Sequence, residues 1–144
     1  MSQTPVVAIE PQVALIYTMV LVSAADGTMT DAELAAMGRI VQHLPAFEGF
    51  DADRLVTSGR DCARLLRQVD GFEAVAQTIQ VTLVPALAET AYALACDIAA
   101  ADGAADREER HMLELLRQRL ELSRDEASAL EKGANARFTR ILAA

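Results

Sequence analysis

The chain has 144 residues, enough for one domain that buries roughly two-thirds of its unfolded surface. It is 52% apolar but only 4% aromatic and lacks Trp, so its core must be built from Ala, Leu, Val, Ile and Met, a mixture that favours close-packed helices over sheets. A net charge of −8 excludes nucleic acid as the natural partner, because such binding draws on Lys and Arg to neutralise phosphates.

Seven helices are predicted in chain order. The first runs from Pro11 to Ala25, with Pro at a tolerated opening position and Asp26-Gly27 as its stop. Thr30 with Glu33 forms a capping box for the second, whose inner stripe is Leu34, Met37, Val41 and Leu44, and Pro45 ends it. After the loop AFEGF, Asp51 is expected to cap a third helix carrying Leu55, Cys62, Leu65 and Leu66 and closing near Asp70-Gly71. A fourth spans Phe72–Val84, and Pro85 opens a fifth that reaches Ala101. Asp106 with Glu109 caps the sixth, bearing Leu113, Leu116 and Leu120. Ser123 with Glu126 caps the seventh, with Leu130, Phe138 and Ile141 expected to face inward. No segment alternates polar and apolar residues for long, so the expectation is all-α: a single bundle of about seven helices over 11–144, preceded by a flexible segment at 1–10.

The negative charge is unevenly placed. Residues 1–57 carry a deficit of −5 and residues 58–106 one of −4, whereas residues 107–144 carry +1. Cations or basic partners are the natural visitors to the first two-thirds, although acidity often means only solubility. Cys62 and Cys96 are isolated and sit in apolar helical patterns, so buried free thiols in a reducing compartment are expected. Arg60 and Arg64 could lower the Cys62 pKa, but its place on the inner stripe favours burial. The opening MSQTPVVAIEPQ lacks the basic and apolar runs of a signal peptide. The longest uncharged apolar run, 13–25, would span about 20 Å as a helix against a hydrocarbon core of ~30 Å. A cytoplasmic protein without membrane insertion is expected.

An internal repeat at an offset of 76 residues is the most informative feature. Val22 to Glu33 aligns with Ile98 to Glu109, and each copy is an apolar helix, then Ala-Ala-Asp-Gly, then a capped helix with a carboxylate-rich first turn. The Asp-Gly step followed by Glu seven residues after the Asp reproduces the second half of an EF-hand loop. The first half is missing, since the first and third ligand positions fall on Val22 and Ala24 and on Ile98 and Ala100. Neither loop alone supplies a full oxygen cage. Side by side, the two could share one cation through Asp26, Asp31, Glu33, Asp102, Asp106 and Glu109, and oxygen donors without His or Cys select Ca2+ or Mg2+ over zinc. The same residues also have local reasons to exist: the glycines as helix stops, Thr30 and Asp106 as N-caps, the glutamates as their capping-box partners.

The double pattern A-A-D-G-x-x-[ST/D]-x-x-E in an Ala- and Leu-rich helical chain resembles the TerB-like domain. That family includes the tellurite-resistance protein TerB and a domain of a membrane-anchored DnaJ-type co-chaperone. The resemblance covers about residues 11–122 and implies an all-helical fold with an acidic surface that holds divalent cations. It also implies a stress-linked role beside a protein partner at the cytoplasmic face of the inner membrane. Carried across, the acidic positions are Asp26 and Glu33 in the first copy and Asp102, Asp106 and Glu109 in the second; Thr30 stands where the second copy has Asp106, leaving the first site poorer in charge.

No catalytic arrangement is legible. His43 lies at a helix end and His111 on an outward face, neither beside a nucleophile or a partner at metal spacing. No Gly-rich phosphate loop, His-Glu-x-x-His or supported carboxylate pair for acid–base work is present. The expected function is a non-enzymatic accessory domain that binds a cation through its two Asp-Gly loops. The alternative is a metal-independent protein-interaction module or co-chaperone-type adaptor.

Overall fold

A helix that is apolar on every face must be surrounded, and the first helix is the hub of this protein. The computed structural model describes residues 8–25, 27, 29–101, 103 and 105–141. In it α1 (Pro11–Ser23) buries every residue from Ala14 to Ser23. Three further elements follow: α2 (Asp31–His43), a single 3-10 turn at Pro45–Phe47, and α3 (Arg54–Leu66). The chain then forms α4 (Gly71–Thr82), α5 (Pro85–Ala100), α6 (Arg107–Arg119) and α7 (Arg124–Arg137). Among the described residues there is no strand, and no helix is long and apolar enough to cross a membrane.

The two repeated units pack reciprocally. The first helices, α1 and α5, lie against each other, and each also touches the second helix of the other unit: α1 meets α6, and α2 meets α5. This is the contact pattern of a pseudo-twofold arrangement, and Ala supplies the close approach: Ala88, Ala91, Ala95, Ala99 and Ala100 of α5 are all buried. The inserted pair α3 and α4 packs on the remaining sides of α1, and α7 closes over α5. Polar ties fix the periphery. Arg54 at the start of α3 donates two hydrogen bonds to Glu10, at 2.7 and 3.0 Å, and lies 4.9 Å over the Phe50 ring. Arg119 pairs with Glu73 between α6 and α4, and Arg137 with Asp97 between α7 and α5.

Several expectations are corrected. Asp51 does not cap α3; its carboxylate accepts the Asp53 N–H at 2.9 Å in a local turn, and the helix begins three residues later, at Arg54. The loop AFEGF begins inside the 3-10 turn that ends at Phe47. Leu34 is 49% exposed although the 3.6-residue stripe points it inward. The reason is tertiary: α2 is buried along Glu33, Ala36, Met37 and Val41, and its contacts with α5 and the 3-10 turn leave Leu34 outside that strip. Ile141 is 99% exposed because α7 ends at Arg137, leaving it beyond the last packed turn. Residues 1–7 of the expected flexible segment lie outside the described residues, while Ile9 donates to the Thr82 hydroxyl at 3.0 Å.

Candidate functional site

The repeat is reproduced in backbone geometry. In the first loop Ala25 N–H donates to Val22 O at 3.2 Å and Gly27 N–H to Ala24 O at 3.0 Å. In the second, Ala101 donates to Ile98 O at 3.2 Å and Gly103 to Ala100 O at 3.1 Å. Gly27 has φ +83° and Gly103 φ +124°, conformations that a side chain disfavours, so glycine is required at both stops. Each loop then feeds a complete capping box. Glu33 N–H donates to Thr30 Oγ1 at 3.1 Å, and Thr30 N–H to Glu33 Oε1 at 2.8 Å. In the second copy Glu109 N–H donates to Asp106 Oδ1 at 2.8 Å, and Asp106 N–H to Glu109 Oε1 at 3.1 Å.

The capping glutamates are not the solvated residues that a helix start usually offers. Glu33 is 2% exposed and Glu109 4% exposed, and their side chains are hydrogen-bonded to each other. The contact of α1 with α6 and of α2 with α5 brings the two first turns together, so the repeat converges on one buried pair of carboxyl groups. Burial, reinforced by the hydrogen bond with Glu33, pushes the Glu109 carboxyl up to about 8 from an ordinary 4.5, against the opposing pull of the Asp106 N–H. Two carboxylates in contact out of water cannot both keep their charge cheaply; a shared proton or a bound cation must offset it.

Of the six acidic residues singled out by sequence, Glu33 and Glu109 therefore form the junction, and Asp106 both caps α6 and acts electrostatically on Glu109. Asp31 is exposed on the first turn of α2, outside the buried pair. Asp26 and Asp102 lie outside the described residues. Among the described residues no three acidic, His or Cys side chains are gathered as a metal shell. The junction thus fits a cation in part: it presents two buried oxygen-bearing groups, and further donors must come from the Asp-Gly loops or from water. Ser23, fully buried on the last turn of α1 and leading into the first loop, has a hydroxyl with no hydrogen-bond partner among the described residues.

The thiols have no such chemistry. Burial pushes both Cys62 and Cys96 up to about 12, in line with the burial expected of Cys62 from its place on the inner stripe. His43 and His111 are exposed. The direct contact of the two glutamates was missed by sequence reasoning, although a signal existed: they are equivalent positions of the repeat, and equivalent positions meet at a pseudo-twofold axis. The family model described as Tellurite resistance protein TerB matches residues 12–132. No curated protein and no solved structure shows a significant match.

Proposed function

The chain belongs to the tellurite-resistance TerB family, and from that premise we propose that it is a non-enzymatic accessory domain binding Ca2+ or Mg2+ where its two acidic loops meet. The observation that supports this most is the burial of Glu33 against Glu109, one from each repeat, at 2% and 4% exposure. Their capping-box bonds engage only Oε1 of each, which leaves the second oxygens to face one another or a cation. The further carboxylates this reading enlists are Asp26, Asp31, Asp102 and Asp106, of which Asp31 and Asp106 stand at the starts of α2 and α6. A divalent ion would neutralise the pair and tie α2 to α6, ordering the acidic face for a protein partner in a stress-linked role at the cytoplasmic side of the inner membrane. Water would complete the shell, as it commonly does around these ions.

A second reading has its own support. Each glutamate already accepts an N-cap N–H, Glu33 that of Thr30 and Glu109 that of Asp106, so the junction is a stable structural element with a proton alone. The same face would then dock a partner without metal, as an interaction module or co-chaperone-type adaptor. Titration of chelator-treated protein with Ca2+ and with Mg2+, followed by calorimetry and backbone NMR, separates the two. The cation reading expects saturable shifts at both loops and a rise in melting temperature that shrinks in Asp102→Asn, since stabilisation follows RT ln(1 + [L]/Kd), about 2.7 kcal/mol at 100-fold excess over Kd. Identical melting with either ion and with chelator would leave docking as the function.

A further inference from the structure

Behind the second loop, α5, α6 and α7 line an open cleft of about 610 Å³, within the range of small-molecule sites. Its apolar lining includes Cys96, Leu113 and Phe138, and its polar lining includes Arg110, Arg140 and Glu131. Five of the protein's basic residues are committed to ion pairs among the described residues, but Arg110 and Arg140 are not among them. Arg110 spends one N–H on Ala105 O, at 3.2 Å, and keeps the rest of its fork. One acid stands against the two arginines in the same lining, Glu131, whose Oε1 accepts the Tyr92 hydroxyl at 2.7 Å. Residues 107–144 carry a net charge of +1, which Asp97 of α5 offsets, so it is the lining itself, with two arginines and one glutamate, that favours an anion. By contrast, the cavity between α4, α5 and α6 contains Glu89, Glu121 and Glu126, and its one arginine, Arg119, is paired with Glu73.

The geometry points to a binding site for a small amphipathic carboxylate, its anion met by Arg110 and Arg140 and its apolar body resting on Leu113, Phe138 and the α5 wall. Both guanidinium groups stand at exposed positions on the rim while Leu113 and Cys96 are buried beneath them, which is the polarity such a molecule needs. Arginine rather than lysine suits the task because its planar fork matches two carboxylate oxygens. The cleft shares Gly103 and Ala105 with the second Asp-Gly loop but is lined by neither Glu33 nor Glu109, and the carboxylate needs no cation.

The test is an NMR titration of the full chain in chelator with hexanoate, alongside 1-hexanol, hexylammonium and a hexapeptide ending in an apolar residue with a free carboxyl. Hexanoate should bind saturably, with amide shifts confined to residues 96–113 and 131–141. Hexanol should bind about tenfold more weakly and hexylammonium not at all, since one charge-assisted hydrogen-bonded contact corresponds to about a tenfold change in affinity. Arg110→Gln and Arg140→Gln should each weaken hexanoate by about three- to tenfold without moving the melting temperature. Hexanol binding as tightly as hexanoate, shifts spread over other helices, or arginine variants that bind like the wild type would each overturn the assignment. Tighter binding of the hexapeptide than of hexanoate would overturn the small-molecule reading in favour of a partner's C-terminus.

Discussion

Replacing Glu109 by Gln tests the buried junction directly. The Glu109 carboxyl is held at about 8 in the folded protein, against an ordinary 4.5. The native state therefore binds the proton more tightly than the unfolded chain does. The stabilisation from that proton is fully present below about pH 4.5 and is lost as pH rises towards 8. Each unit of displacement is worth about 1.4 kcal/mol, so the loss at pH 7 is about 3 kcal/mol. Gln has nearly the same shape, its carbonyl oxygen can still accept the Asp106 N–H, and its amide can donate permanently to Glu33. In chelator at pH 7 the variant should thus be more stable than the wild type by about 2 kcal/mol and melt about 5 °C higher, allowing for imperfect replacement of the hydrogen bond. At pH 4.5 the two should agree within about 0.5 kcal/mol. Urea denaturation followed by circular dichroism at half-unit steps from pH 4.5 to 8 makes the comparison. Glu114, held down at about 2 by Arg117, titrates below this window and cancels in the difference between variants. Wild-type stability that stays flat or rises across the window relative to Glu109→Gln would refute the buried pair.

Other perturbations probe the frame around it. Ser123→Ala removes the side-chain oxygen that accepts the Glu126 N–H at 3.0 Å, and should cost about 1 kcal/mol in urea denaturation with little change elsewhere. Gly71→Ala places a Cβ 2.3 Å from Leu65 O and 2.6 Å from Leu66 O, so the α3–α4 turn must shift; a loss of about 2 kcal/mol or more is expected, read as a fall in the urea midpoint. Cys62 and Cys96, buried and raised to about 12, should resist an aromatic disulfide reagent in the native protein and both react once it is unfolded in urea.

Much of this protein is legible locally, and the reasons are local too. Thr30 with Glu33, Asp106 with Glu109 and Ser123 with Glu126 announce three helix starts because capping satisfies backbone N–H groups within four residues. Proline at positions 11 and 85 opens two more, since its missing N–H costs nothing there. The all-helical class follows from abundant Ala and Leu with few aromatics and no Trp, and the repeated Ala-Ala-Asp-Gly step points to the family. What local pattern cannot decide is which face is covered. Leu34 and Ile141 read as core yet are exposed, because neighbouring elements stop short of them. Glu33 and Glu109 read as capping-box partners, a pattern that does not reveal their burial; they are buried because α1 and α5 pack crosswise on each other's partners and bring two equivalent first turns together. A capping box fixes the conformation of its own turn and says nothing of what lies across from it; only the packing of two whole helix pairs turns two ordinary caps into one desolvated carboxyl pair.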